Sequence, residues 1–168
     1  MTAPETIPIA HEPGYRTDTI GRYADGQFLA SVSYAFPEGY TPGNDWAEHK
    51  RLYTVLHRFD PEGRHTGSDI QYIGTWAGQL RRPHGEDSVM ARARARLAEL
   101  LDGLPGRAYG DIAVRPFRLT VDDVLFGLIV ERSEKNEEGE GADGGGERAE
   151  LYPDGLGFHA PWDGLYDT

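Results

Sequence analysis

The sequence predicts an α+β fold, in which an antiparallel β-sheet of about six to seven strands, built from hairpins, carries one main α-helix packed on one face. Three observations point to it. Stretches of alternating apolar and polar residues recur in pairs joined by short turns rich in Asp and Gly. Only one stretch, ending near Leu104, repeats its apolar residues at spacings of three and four. The 22 Gly and 11 Pro among 168 residues keep helix from dominating.

Residues 1–14 mix Pro, Thr and Glu without periodicity and are expected to be a flexible lead-in to a single domain over 15–168. The first hairpin runs through YRTDTIGRYADGQFLASVSYAF, where Phe28, Ala30, Val32 and Tyr34 share one face and Ala24-Asp25-Gly26 supplies the turn. FPEGYTPGNDWAEHK gathers Pro37, Gly39, Pro42 and Gly43 into an irregular loop that displays Tyr40 and Trp46. A second hairpin follows. Its first arm, RLYTVLHRF, sets Tyr53, Val55, His57 and Phe59 against Leu52, Thr54, Leu56 and Arg58; DPEGR is the turn and SDIQYIGTW the return.

The helix is capped by Asp87 or Ser88, carries Met90, Leu97, Leu100, Leu101 and Leu104, and stops at GLPG. The third hairpin joins DIAVRPFRL to VLFGLIVER through TVDD, with Asp122-Asp123 in the turn. The nearly continuous apolar run of its second arm suits a central strand. Pro116 cannot donate a ladder hydrogen bond, so the first arm lies at an edge or is bulged. The acidic, Gly-rich segment at about 134–147 cannot bury enough apolar surface to order and is expected to be a disordered loop. AELYP adds one short last strand.

Composition narrows the function. The absence of cysteine removes disulfides, a thiol nucleophile and thiolate metal sites. A formal net charge of −11 disfavours nucleic acid and anionic lipid. Residues 131–150 hold eight acids against three bases, yet the rest of the chain is still acidic. The N-terminus has no basic start followed by an apolar run, and no stretch reaches membrane-spanning length, so the expected location is the cytoplasm, with no membrane partner. Abundant Arg, Gly and Asp with little Lys is a composition shared with proteins of high-GC bacteria.

Catalytic and cofactor signatures are missing. The chain has no G-x-S-x-G elbow, no phosphate-binding glycine motif before a helix, and no paired histidines at metal-ligand spacing among the six at 11, 49, 57, 65, 84 and 159. No cofactor and no metal are expected. His57 shares its face with Tyr53 and Phe59 and reads as a hydrogen-bonded or surface-facing strand residue. Arg81 to Gly85, RRPHG, with Arg92, Arg94 and Arg96 beyond it, is either an anion site or a set of internal counter-charges.

What remains is aromatic. The closing GFHAPWDGLYDT sets three large amphipathic rings at a chain end, either as an anchor docked on the sheet or as a binding surface. The functional version places Tyr40, Trp46, His159, Trp162, Asp163 and Tyr166 on one recognition face. The leading expectation is therefore a non-enzymatic interaction protein that captures a basic protein partner, as an immunity protein or antitoxin does. The alternative is a small enzyme or small-ligand binder with a pocket between sheet and loops, using His57, His159, Asp163 and Glu48 as acid–base groups. A third reading is a structural subunit that oligomerises through a sheet edge.

Overall fold

Along two strands at the middle of the chain, both the odd and the even side chains are buried, and this decides the architecture. The computed structural model describes residues 2–132 and 146–168. In chain order its elements are β1 (Ile7–Ile9), β2 (Ile20–Tyr23), β3 (Gly26–Ala35), α1 (Trp46–His49), β4 (Arg51–Phe59), β5 (His65–Thr75), α2 (Trp76–Arg81), α3 (Val89–Asp102), β6 (Ala108–Tyr109), β7 (Ile112–Val114), β8 (Phe117–Val121), β9 (Val124–Arg132), β10 (Glu147–Tyr152) and β11 (Leu156–Phe158). The fold is α+β with antiparallel sheets, but these eleven strands form three sheets rather than one of six or seven. The order is β5-β4-β3-β2-β6 in the largest, β11-β10-β9-β8 in the second, and β1-β7 in a small pair.

Phe28 and Ala30 of β3 and Leu56 of β4 meet Leu101 and Leu104 on the helix side. On the opposite face Tyr53 and Val55 meet Val124 and Phe126 of β9, while Leu29 and Phe59 meet Phe117, Leu128 and Phe158. The five-stranded sheet is thus the middle of three layers, and hydrophobic burial on both faces holds it. α3 is the main helix expected: Ser88 accepts from Ala91 N at 3.1 Å as its N-cap, and Gly103 closes it. α1 and α2 are single short turns in segments read as loop and strand end.

Four expectations are corrected. Residues 1–14 are not merely a lead-in: Ile7 and Ile9 are fully buried and pair with Val114 and Ile112. The arm DIAVRPFRL is two strands, because Pro116 and Arg115 break the ladder where the chain passes from β7 beside β1 to β8 beside β9. The return strand of the second hairpin begins at His65 and gives way to α2 at Trp76. The last strand is a pair, β10 and β11, closed by a turn at Gly155. The acidic segment at 134–147 lies outside the described residues except for Gly146 and Glu147.

Two of the turns read from sequence follow their chemistry. Asp122 and Asp123 form the two-residue link between Val121 and Val124 with φ of 52° and 63°, the left-handed pair of a type I′ hairpin. Gly26 begins β3 at φ 154°, where a Cβ would overlap the carbonyl of Phe59. β5 is an outer edge of eleven residues, and two irregularities leave Ile73 and Thr66 without a cross-strand partner. Bulges of this kind bend an edge away from the flat geometry that invites a second sheet.

Candidate functional site

The loop between β3 and β4 is built by ring stacking. Phe36 stacks on Tyr40 with centroids 5.4 Å apart, and Tyr40 stacks on His49 at 4.5 Å. Asp45 ties both together: it accepts from the Tyr40 hydroxyl at 3.1 Å and from His49 Nε2 at 2.9 Å. Those two bonds, the Tyr40 one foremost, hold the Asp45 carboxyl below the usual carboxylate range. The loop therefore carries a preset anion at its tip.

Lys50, at the end of α1, completes this corner. Its Nζ lies 4.6 Å from the ring centre of Tyr34, 5.3 Å from that of Trp76 and 5.9 Å from that of Trp46. Three aromatic faces around one ammonium fix its position through cation–π attraction. The backbone reinforces this, since Trp76 N donates to Lys50 O at 2.8 Å and thereby joins α2 to α1. Glu48 reaches Arg81 at 3.3 Å across the same junction. Trp46 is left 41% exposed, and Asp45 and Glu48 flank it in sequence. No sequence signal singled out Lys50 or Trp76, because their meeting depends on β4 and β5 pairing.

The C-terminal residues are elsewhere. Trp162 and Tyr166 pack against the cluster that contains Ile7, Leu29 and Phe59, and Tyr166 sits edge-on to Phe158 at 6.0 Å. Gly157 and Asp167 exchange both backbone bonds, at 2.8 and 3.0 Å, and Ala10 N donates to Gly164 O at 2.9 Å. The tail is docked. His159 bonds to Asp167 Oδ2 at 3.0 Å and stays exposed, as does Asp163, whose carboxylate accepts from Leu165 N. The Ala160 carbonyl, and after it Asp167, raise the His159 imidazole above its usual range.

The six residues expected on one face therefore divide into two groups. Tyr40 and Trp46 follow the Ala35 end of β3, while the tail packs near Leu29, and the six residues between those points span roughly 20 Å of strand. No contact joins the groups among the described residues. Trp162 also has φ 58°, unusual for a large side chain, and its buried Nε1 has no hydrogen-bond partner. Ring burial pays for both defects. Trp162→Ala is expected to cost about 2–3 kcal/mol, below the full value for a core tryptophan because the ring is only partly buried. Urea unfolding checks this, and a loss under about 0.5 kcal/mol, the range of an ordinary surface change, would refute the anchor role.

The four groups suggested for acid–base work are also dispersed. His57 is 1% exposed inside the sheet interface, facing Ser68 across the β4–β5 ladder. Ser68 Oγ lies 2.6 Å from His57 Nδ1 and 2.7 Å from His65 Nε2. Its single proton goes to one imidazole while the other donates to it. Phe117 closes on both rings, edge-on to His57 at 4.7 Å and stacked on His65 at 4.5 Å. Glu48, His159 and Asp163 lie in the separate places just described. Of the basic spot, Arg81 pairs with Glu48 and Arg96 with Glu99, so these two arginines act as counter-charges.

Among the described residues no group of three or more His, Cys, Asp or Glu side chains is placed to hold a metal ion, and no helix is long and apolar enough to cross a membrane. Comparison with protein-family models, with curated proteins and with solved structures found no match.

Proposed function

We propose that the protein is a small acidic interaction module that binds a basic protein partner and inhibits or sequesters it, as an immunity protein or antitoxin does. The observation that supports this is Trp46, a large ring left exposed on a corner whose neighbours, Asp45, His49 and Lys50, are already held by contacts of their own. Tryptophan is the residue type most often found at the energetic centre of an interface. Rigidity lowers the entropy lost on binding, because the Tyr40–Asp45–His49 triad and the caged Lys50 have set the loop beforehand. The net charge of −11 favours encounter with a cationic surface, and the setting we propose is the cytoplasm.

In this reading Tyr40 and Trp46 are the recognition residues, and Trp162 and Tyr166 serve the core. The test is affinity capture from host lysate with the intact protein, Trp46→Ala and Glu48→Lys, followed by calorimetry on the captured partner at low and high salt. A basic partner that binds more weakly at high salt is expected, and Trp46→Ala is expected to cost about 2 kcal/mol of its binding energy. Binding that is insensitive to salt, or unchanged in both variants, would overturn the proposal.

A further inference from the structure

β2 pairs with β3 only from Gly26 to Leu29, and beyond that point the edge of β3 is bordered by the loop that leads into β2. Ala30 N donates to Thr19 O at 2.9 Å where this loop begins to diverge. A cavity of about 220 Å³ opens there. All three layers contribute to it: Ser31 from β3, Arg94 from α3, Asp154 from the turn between β10 and β11, and Arg16 and Asp18 from the loop. This volume is below the roughly 300 Å³ at which sites for drug-sized molecules begin, so it suits a small metabolite.

The cavity holds charges of both signs, Asp18 and Asp154 with Arg16 and Arg94. The Asp154 side chain is only 10% exposed, and Arg16 Nη2 stands 4.0 Å from Asp154 Oδ1 while donating at 3.0 Å to the Asp154 backbone carbonyl instead. Ser33, which is linked to Ser31 at 2.7 Å, hydrogen-bonds to the carboxylate, and the Arg16 charge favours it. Burial pushes the Asp154 carboxyl above the usual carboxylate range, and a group so placed costs stability unless something pairs with it. The turn does not need that carboxylate. Gly155, at φ 73°, closes it by donating from its N to Leu151 O at 2.8 Å. On the α3 side the Arg94 guanidinium has no hydrogen bond or ion pair among the described residues.

The geometry points to a binding site for a small zwitterion, a free α-amino acid, with its ammonium against Asp154 and the Ser31 hydroxyl and its carboxylate against Arg94. A carboxylate and a guanidinium lining one cavity, brought there by different layers, match the two ends of one such molecule, whereas a simple anion would engage only Arg94 and a simple cation only Asp154. Charge-assisted hydrogen bonds at both ends are the strong kind. The site is independent of the Trp46 corner, so either proposal stands if the other fails.

The experiment is isothermal calorimetry of the intact protein with each proteinogenic α-amino acid. For any that binds, the decarboxylated amine and the deaminated acid follow, and then the variants Asp154→Asn and Arg94→Ala, each checked for an unchanged circular dichroism spectrum. Asparagine keeps a hydrogen-bond acceptor for Ser33 and removes only the charge. At least one amino acid is expected to bind, and each analogue and each variant to weaken it by about tenfold or more, the effect of one lost charge-assisted contact. Arg94 lies on an exposed helix face, so that variant decides the matter if Asp154→Asn does not fold. The inference fails if no amino acid binds, if the amine or the acid alone binds as well as the zwitterion, or if folded Arg94→Ala binds unchanged.

Discussion

Phe126→Ala is expected to destabilise the fold by about 3–5 kcal/mol, the range for a fully buried phenylalanine that leaves a cavity behind. Phe126 has no exposed surface and lies edge-on to Tyr53 at 5.4 Å, in a cluster with Ala35, Val55 and Val124. It projects from β9 and Tyr53 from β4, so the contact is one between sheets rather than within one. Against a total stability of roughly 5–15 kcal/mol, that loss is large enough to be read directly by urea unfolding. Leu101→Ala, on the helix side, is expected to cost about 2–4 kcal/mol, because Leu101 contributes fewer atoms and is 7% exposed. A loss under about 1 kcal/mol for Phe126→Ala would mean that the two sheets do not share a core.

The need for a second sheet is written in RLYTVLHRF, yet it is hard to read. Alternation identifies two faces, and in β4 both are apolar: Leu52 and Leu56 on one, Tyr53, Val55 and Phe59 on the other. A strand buried on both sides needs a layer on each side, and one helix supplies only one. The hairpin turns and α3 were legible because their signals are local: Asp122-Asp123 sets the backbone of its own turn, and Ser88 caps its own helix. β1 was not. Ile7-Pro8-Ile9 has no extended alternation, and it becomes a strand only by pairing with residues more than a hundred positions away.

The same distinction governs the candidate sites. Tyr40, Asp45, Trp46 and His49 lie within ten residues, so their cluster could be seen as a short acidic and aromatic run. Whether that run meets the tail depends on which end of the sheet each one reaches, and composition carries no such information. Asp154 stands in a Pro-Asp-Gly stretch, whose composition signals only a turn. Its importance comes from Ser33 and Arg94, brought to it by two different layers.

His57 makes the second large effect, one of pH. Burial, reinforced by the nearby His65, lowers the His57 imidazole from its ordinary 6.5 to about 3. The folded protein holds this ring neutral while the unfolded chain protonates it near pH 6.5, so across that window the unfolded state binds more protons. The His57 contribution to stability must then fall as the pH is lowered, by about 2 kcal/mol between pH 7 and pH 5 and about 3 kcal/mol by pH 4. His65 is lowered too, mainly by burial, and acts in the same direction. Asp154, whose carboxyl is raised, and His159, whose imidazole is raised, act in the opposite one. His159 is a weak opponent because it is exposed and solvent screens its partner, and whatever Asp154 contributes is common to the intact protein and to a variant at His57.

Urea unfolding of the intact protein and of His57→Phe at pH 7, 6, 5 and 4 separates these contributions. The variant keeps a ring beside Phe117, and Ser68 keeps His65 as a partner. Its stability at pH 7 falls by whatever the lost Ser68 bond was worth, but its slope between pH 6.5 and 4 should flatten, so that the two curves converge or cross on the acid side. Parallel curves would show that the acid sensitivity belongs to another group and that His57 accepts its proton without leaving the sheet interface.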